Sequence, residues 1–344
     1  MQADRLAPDP PWNRAYGSFS ITRKHKMNDL TQLVGDLGGT NVRFGLCAQG
    51  STDVQAIAKY SLRDYEDLNH VMRVYLDQQS VSVNACCLAI AGPIVDQSVK
   101  MTNTHWTFSA DSIKQELGIS QAHLINDFAA VAYSVAHLND DELIAIGAEA
   151  KRGKGPITVF GPGTGLGAAL LIPGEAGYDV IATEGGHAGL SARSDDELAL
   201  FDYWRAKGSR ITREFFISGA GIERIHESLC VASGSDNYQR YNVERIQKLG
   251  CASENSICQK SMEIFCELLG SAAGDQVLCT GSTGGLVLAG GVLPRFVDFL
   301  QSSGFRKRFE SKGGMSGYTQ TVSSHLIVAP QPGLVGAAAF LLRG

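Results

Sequence analysis

The stretch that decides the fold runs from residue 33 to residue 46 and reads Leu33-Val34-Gly35-Asp36-Leu37-Gly38-Gly39-Thr40-Asn41-Val42-Arg43-Phe44-Gly45-Leu46. It consists of an apolar strand, a glycine-threonine turn and a second apolar strand. Paired glycines between strand-forming residues are a good hairpin signal, so the sequence predicts a two-residue turn at Gly38-Gly39. No helical period follows the turn and the lysine of a P-loop is missing, which argues against a Rossmann or P-loop site.

The same strand, turn and strand pattern returns in a second segment, which reads Ile157-Thr158-Val159-Phe160-Gly161-Pro162-Gly163-Thr164-Gly165-Leu166-Gly167-Ala168-Ala169-Leu170-Leu171. It is a weak internal repeat of unusual shape. Two such hairpins predict two similar lobes that face one ligand between them.

Glycine turns suit phosphate groups because backbone N–H groups can point into a concavity without obstruction by Cβ. Thr40 and Thr164 each add a hydroxyl donor. Asp36, at the end of the first strand, stands where a nucleotide-bound Mg²⁺ needs an oxygen ligand or an acceptor for its water. Either hairpin alone is more simply a tight turn, but the two together with Asp36 favour a phosphate site.

Length and composition bound the remaining possibilities. The chain has 344 residues, 44% of them hydrophobic and 19% charged, with a net charge of −5. This suits an α/β enzyme with two lobes. Acidic and basic residues are interspersed, and nothing in the sequence resembles the basic stripe that a nucleic-acid partner requires. Its apolar runs are interrupted by glycine and are too short to span a membrane.

The cysteines and the first residues give two further expectations. Eight cysteines occur without a C-x-x-C pair, which favours reduced thiols packed in the core of a cytoplasmic protein over metal ligands. Residues 1–28 contain a proline cluster and lack the apolar segment of a signal peptide, so we expect a flexible extension.

Alternating strand and helix patterns predict the positions of several elements. We expect strands at 122–125 and 285–289, and helices at 128–138, 194–204, 256–269, from near 294, and at 332–342. The helix at 194 is predicted from a capping box formed by Ser194 and Glu197.

Taken together, these motifs resemble the glucokinase/hexokinase branch of the actin-like ATPase superfamily, and within it the bacterial glucokinases. Residues 34–43 and 161–167 are similar to its two phosphate motifs, and residues 288–292 (Leu-Ala-Gly-Gly-Val) resemble its adenosine motif. The similarity runs from Leu33 to the C-terminus. It implies a ribonuclease-H-like fold with a central cleft between a small lobe (29–137 plus about 324–344) and a large lobe (138–323).

The resemblance implies ATP-dependent phosphorylation of glucose to glucose 6-phosphate, with Asp127 as the general base. By spacing alone, an Asp just before a helix is more often an N-cap. The resemblance favours instead a carboxylate that accepts the proton of a sugar hydroxyl. The residues implied to bind ATP are Asp36, Gly38, Gly39, Thr40, Asn41, Arg43, Gly163, Thr164, Gly165, Gly290 and Gly291, with Asp36 holding Mg²⁺ through water.

The resemblance also assigns the sugar-binding residues. They are Asn103, Asn126, Glu184, His187 and Glu214. The chain departs from the family pattern near these positions, since Thr183 stands where glycine is common and Ala220 where proline is frequent. We expect these two changes to alter the stiffness of the loops and to leave the carboxylates intact.

Several alternatives stay open at this point. A kinase of the ROK group shares the phosphate motifs, but no cysteine lies between Cys87 and Cys230 to build its zinc site. A sugar-sensing regulator would need a helix-turn-helix domain, for which the first 27 residues are too short. A kinase for mannose, fructose or an N-acetylhexosamine fits the same motifs. For the sugar kinase we expect a cytoplasmic homodimer without nucleic-acid or membrane partners.

Overall fold

The computed structural model describes residues 26–101, 104–147, 153–175, 177–234 and 240–343. These residues form two compact units. The first runs to Leu138 and includes Pro173–Val180 and the chain from Pro330 onward, whereas the second comprises Asn139–Ile172 and Ile181–Ala329. In the described residues, no helix has both the length and the apolar character needed to cross a bilayer. The predicted extension lies outside the described residues up to residue 25, and Met27–Asp29 form a short 3-10 turn.

The strands and helices are numbered in chain order. The strands are β1 (Leu30–Leu37), β2 (Asn41–Ala48), β3 (Gln55–Ser61), β4 (Ala85–Ile90), β5 (Ser98–Lys100), β6 (Thr107–Ser109), β7 (Gln121–Asn126), β8 (Leu143–Ala145), β9 (Ile157–Pro162), β10 (Leu166–Gly174), β11 (Gly177–Thr183), β12 (Gly285–Leu288) and β13 (Ser324–Ile327). The helices are α1 (Leu68–Gln79), α2 (Ala110–Leu117), α3 (Asp127–Ser134), α4 (Asp195–Ala206), α5 (Arg213–Phe216), α6 (Gly219–Ala232), α7 (Val243–Cys251), α8 (Ser256–Thr280), α9 (Val297–Ser302), α10 (Phe305–Glu310), α11 (Ser316–Gln320) and α12 (Pro332–Leu341).

The first unit is built on a five-stranded sheet in the order β3-β2-β1-β4-β7. The β1–β2 and β2–β3 pairs are antiparallel, whereas β4 lies parallel to β1 and β7 parallel to β4. All residues of β4 are buried, as expected for a parallel strand covered on both faces. One face packs against α1 and α2, and the other against α3 and α12. The carboxyl ends of β1, β4 and β7 therefore share one edge of the sheet.

The second unit repeats this arrangement. Its six-stranded sheet has the order β11-β10-β9-β12-β13-β8. An antiparallel β9–β10 hairpin is again followed by two parallel strands, β12 and β13, and β8 is added at the edge. The first five strands thus follow the order of the first unit, which confirms the two similar halves predicted from the hairpins. This is the sheet order of the expected ribonuclease-H-like fold, present once in each unit.

Most predicted elements are present, with shifted ends. The helix expected at 256–269 continues to Thr280, because α6, α7 and α10 pack against it and outweigh the low helix propensity of its two interior glycines. Ser194 caps α4 as predicted. Glu197 does not complete the capping box, since its buried carboxylate accepts hydrogen bonds from the Arg193 amide and the Arg308 side chain.

The unit boundaries differ from the expected lobes in two places. Strand β13 was expected in the small lobe, but it pairs with β12 and β8 and so belongs to the second unit. The segment Pro173–Val180, expected in the large lobe, groups with the first unit. There the Arg343 guanidinium donates hydrogen bonds to Asp179 and to the Tyr178 carbonyl.

Candidate active site

The first glycine turn lies between β1 and β2. The Gly38 amide donates to the Asn41 carbonyl at 2.9 Å, so the tip of the turn is Gly39 and Thr40. The prediction of a turn centred on Gly38-Gly39 was therefore wrong by one residue. The Thr40 side chain is exposed and its Oγ1 accepts a hydrogen bond of 2.8 Å from Asn41 Nδ2. The turn presents a hydroxyl and backbone groups at the carboxyl end of β1.

Asp36 stands at the end of β1, opposite Arg43 in the antiparallel register. One of its carboxylate oxygens lies 3.8 Å from Arg43 Nη1, and 27% of its side chain is exposed. The carboxylate faces the first turn of α12, where a Cβ added at Gly333 would lie 3.4 Å from its carboxyl carbon. Burial raises the pKa of the Asp36 carboxyl, and the charge of Arg43 opposes this rise only in part. A further cation beside Asp36 would favour its ionised form.

Asn126 and Asp127 lie at the junction of β7 and α3. The cap of α3 is Asn126, whose Oδ1 accepts hydrogen bonds from the amides of Phe128 and Ala129 at 2.9 and 3.0 Å. Asp127 is the first residue of the helix, and its Oδ1 accepts from the Phe128 amide at 2.8 Å. The capping role that spacing alone suggested for Asp127 thus falls to its neighbour.

The sheet register places Asp127 and Asp36 at one edge of the first unit. Asp36 is level with Ala89 of β4, which is level with Ile125 of β7. Because neighbouring strands lie about 4.8 Å apart, the backbones of β1 and β7 are separated by roughly 10 Å across β4. The predicted metal-side carboxylate and the predicted base therefore follow strands that end at the same edge of this sheet. Asn103, the remaining sugar-binding candidate of this unit, lies outside the described residues.

The second glycine turn joins β9 and β10 and spans residues 163–165. The Gly163 amide donates to the Gly165 carbonyl at 2.8 Å, and the Gly163 carbonyl accepts from the Gly219 amide at 3.0 Å. Gly219 is the first residue of α6, so the turn is attached to the start of that helix. Thr164 is exposed at the tip.

Glu214 contacts this turn directly. Its Oε2 accepts a hydrogen bond of 2.9 Å from the Leu166 amide, and a Cβ on Gly165 would lie only 2.4 Å from the same oxygen. The family resemblance assigns Glu214 to the sugar, and its bracing of the turn was not predicted. The sequence does carry a signal for this contact, because Gly165 directly precedes strand β10 and a glycine beside a strand marks the close approach of another group.

Glu184 directly precedes a 3-10 turn, Gly185–His187, and His187 is its last residue. Both side chains are largely exposed, and His187 Nε2 lies 3.8 Å from Glu184 Oε2. Gly186 is buried, and a Cβ there would lie 2.2 Å from the Leu166 carbonyl oxygen. The loop therefore packs against the first residue of β10, directly after the second glycine turn.

Thr183 restrains the start of the same loop. Its Oγ1 donates to the Ala168 carbonyl at 3.2 Å and accepts from the Gly185 amide at 3.3 Å. A glycine at 183 would lack this hydroxyl. The departure noted in the sequence therefore adds a side-chain anchor to the loop.

The paired glycines 290 and 291 follow β12, next to β9. Gly290 has a φ of +88° and its Cα faces the Pro162 carbonyl, since a Cβ would lie 2.3 Å from that oxygen. The Val292 amide donates to the same carbonyl at 3.3 Å. In the second unit, the predicted adenosine motif thus adjoins the predicted second phosphate motif.

The residues fit a magnesium ion that arrives with a nucleotide. Within the described residues, no three His, Cys, Asp or Glu side chains gather to hold a metal. Mg²⁺ in phosphate-transfer sites keeps several waters and takes only one or two carboxylates from the protein. Asp36, a partly buried carboxylate at the end of β1 beside the first glycine turn, is suited to that role.

Comparison with known proteins shows the family of the chain. The family model for glucokinase matches residues 33–343. A glucokinase of Cronobacter sakazakii is 38% identical over 312 residues, which cover 90% of this chain and 96% of the relative. The crystal structure of a glucokinase from an Antarctic psychrotroph has a TM-score of 0.82 at 35% identity and covers 91% of this chain and 99% of that one.

A more distant structure shows how widely the fold extends. A ROK family glucokinase from Streptomyces griseus, in complex with glucose and AMPPNP, has a TM-score of 0.61 at 18% identity, covering 92% of this chain and 100% of that chain. That likeness concerns the fold alone. The family model and the closer relatives cover nearly all of the sequence, and the chain belongs to the glucokinase family.

Proposed function

We propose that this protein transfers the γ-phosphoryl group of ATP to the C6 hydroxyl of glucose, with Asp127 as the general base. Family membership supports the reaction. The observation that carries the assignment of the base is the division of roles at the start of α3, where Asn126 is the N-cap and Asp127 is the first helical residue, whose Oδ1 accepts from the Phe128 amide.

The position of Asp127 suits a proton acceptor. Its carboxylate is half-buried at a helix N-terminus, where the helix dipole favours negative charge. As the sugar oxygen attacks the γ-phosphorus, the hydroxyl proton passes to this carboxylate and the bond from phosphorus to ADP breaks. The cap uses Oδ1 of Asn126, so Nδ2 is the group that this residue would offer to a sugar.

Glu184 and His187 supply the polar groups for the sugar hydroxyls. A carboxylate accepts from two vicinal hydroxyls, and an imidazole donates or accepts according to its tautomer. The exposed side chains and the restrained backbone of their loop favour this role. We assign to Glu214 a combined role, in which Oε2 braces the Leu166 amide and Oε1 faces the sugar.

The nucleotide would be held by the two glycine turns and the paired glycines. The turns within residues 38–43 and 163–165 would offer to phosphate oxygens the hydroxyls of Thr40 and Thr164 and backbone N–H groups other than those of Gly38 and Gly163, which are bonded within the turns. Gly290-Gly291 would leave room for the nucleoside. Asp36 would hold the water shell of Mg²⁺, which neutralises charge on the phosphates when bound.

We further propose a cytoplasmic homodimer. The cysteines favour the reducing compartment, because none of the eight is disulfide-bonded and most are buried. The dimer follows from the family resemblance alone and is tested by measuring the molecular mass in solution.

The experiment is a coupled ADP-release assay with MgATP and a panel of hexoses, run on the wild type and on Asp127→Asn. We expect glucose to be the best substrate of the wild type. The amide cannot accept the proton, so kcat should fall by about 10²–10⁴-fold, while binding of glucose changes little.

Asp195→Asn is the matched control. Asp195 is also the first residue of a helix, directly after the cap Ser194 of α4, but it lies outside the proposed site. Its substitution should leave kcat within about twofold. Near-normal turnover of Asp127→Asn would refute the assignment of the base, and a preference for mannose, fructose or an N-acetylhexosamine would refute glucose as the substrate.

A further inference from the structure

Arg213 is a buried cation at the start of α5 that none of the roles above uses. Only 8% of the residue is exposed. Its Nη1 donates to Gln276 Oε1 at 2.6 Å and to the Gly185 carbonyl at 3.4 Å. A buried guanidinium is costly unless acceptors meet its N–H groups. Here one acceptor belongs to α8 and the other to the loop that carries Glu184 and His187.

The backbone of Arg213 contacts the same loop at a second point. Its amide donates to the Ala188 carbonyl at 2.9 Å, and Thr212 forms an isolated antiparallel bridge with Gly189. Arg213 therefore holds the carbonyl of Gly185 with its side chain and that of Ala188 with its main chain. The segment between these two carbonyls includes His187, and Glu184 directly precedes it.

Gln276 supplies the fixed end of this connection. It lies on α8, the helix against which α5, α6, α7 and α10 pack. Its Oε1 also lies close to the loop, at 3.5 Å from the position of a Cβ on Gly185. We call this pair of side chains, with the hydrogen bond to Gly185, the Arg213–Gln276 bridge.

We propose that Arg213 and Gln276 are positioning residues, which hold the loop so that Glu184 and His187 meet the sugar in one geometry. Neither residue touches the sugar in this scheme. The inference rests on the proposed function in so far as Glu184 and His187 bind the substrate. A loop held in its bound conformation loses less conformational entropy on binding, so the bridge should raise the affinity for the sugar and leave that for ATP unchanged.

The test uses three substitutions in the full-length protein. Arg213→Met removes the donors and keeps much of the apolar stem, Gln276→Leu removes the acceptor on α8, and Arg213→Lys restores a cation. For Arg213→Met we expect the KM for glucose to rise about tenfold, the loss of one hydrogen bond from a charged donor. The KM for ATP should change by less than about twofold. Arg213→Lys should recover part of the loss.

The double variant tests whether the two side chains act together. If Gln276 acts through Arg213, the combination of Arg213→Met with Gln276→Leu should be no worse than the more severe single change. Additive losses would show that the two residues act separately and would overturn the bridge.

Arg306→Met is the matched control. Arg306 is also buried in the second unit, with 12% of its side chain exposed, and its Nη1 donates to the Val322 carbonyl and to Ser324 Oγ. Its loss should lower the thermal midpoint and leave the KM for glucose unchanged. A purely structural role of Arg213 would give the same result as this control, with less active enzyme and an unchanged KM.

Amide hydrogen exchange over residues 184–190, measured without sugar, separates this inference from the proposed function. We expect faster exchange there in Arg213→Met and not in Arg306→Met. If the wild type phosphorylates no hexose, the proposed function fails, but the amide hydrogen exchange still tests the Arg213–Gln276 bridge. If the wild type is active but Arg213→Met changes neither the KM for glucose nor the exchange, the bridge is refuted. Should Arg213→Met fail to fold, Gln276→Leu carries the same measurements.

Discussion

Replacement of Gly165 by alanine tests whether Glu214 braces the second glycine turn. A Cβ at this position would lie 2.4 Å from Glu214 Oε2 and 3.1 Å from its Cδ. The carboxylate must retreat by about 1 Å to reach an ordinary contact distance. The same oxygen accepts the hydrogen bond from the Leu166 amide at 2.9 Å, and a retreat of this size breaks that bond.

The expected loss of stability follows from that bond. A hydrogen bond to a charged group contributes about 1.5–3 kcal/mol. Alanine also restricts the unfolded chain, and this restriction stabilises the folded state by about 0.4–1 kcal/mol. We therefore expect the free energy of unfolding of Gly165→Ala to fall by roughly 0.5–2.5 kcal/mol.

The assay is urea unfolding without sugar or nucleotide, with Gly163→Ala as the control from the same turn. A Cβ on Gly163 meets no atom within 4 Å, and its φ lies outside the left-handed region. This variant should be as stable as the wild type or slightly more stable. Equal stability of the two alanine variants would refute the bracing role of Glu214, as would a full additional loss for Gly165→Ala in a Glu214→Ala background.

Two further predictions concern buried charges. Asp36→Asn should raise the free energy of unfolding at neutral pH and lower the activity with MgATP about 10–100-fold. Because burial raises the folded-state pKa of Asp36 above its ordinary 3.8, the stability advantage of the variant should shrink as pH falls through that raised pKa and vanish below 3.8. A variant less stable than the wild type at pH 7 would contradict burial as the cause of the raised pKa. Arg308→Met should lower the free energy of unfolding in urea by about 3–5 kcal/mol, because it removes the ion-pair partner that lies 2.7 Å from Glu197, which is 0% exposed. Adding Glu197→Gln should recover part of the loss. A loss below about 1 kcal/mol would show that the pair contributes little.

Local patterns in the sequence were enough to predict the two hairpins, the repeated halves and the order of the motifs. A glycine turn between apolar strands is determined by residues that are neighbours in the chain, so its presence can be predicted without tertiary contacts. Its register was predicted one residue too early, since the tip of the first turn is formed by Gly39 and Thr40. Ends of helices were also displaced, because packing against other helices extends α8 past two interior glycines of low helix propensity.

The roles of individual polar side chains depended on tertiary structure. Sequence spacing leaves the carboxylates of Asp127 and Glu214 with several partners to choose from, since a carboxylate bonds whichever donors the fold brings within about 3 Å. Only the folded chain shows that Asn126 takes the cap of α3 and that Glu214 reaches the amide of Leu166, 48 residues earlier.

The Arg213–Gln276 bridge shows the limit of the sequence most clearly, because 63 residues separate its two side chains and no pattern links them. What the sequence determined by itself was the backbone framework of glycine turns, buried strands and their carboxylates, which follows from local periodicity and from the family resemblance. What only the tertiary structure decided was which donor meets which acceptor, because that depends on the packing of distant segments to within a fraction of an ångström.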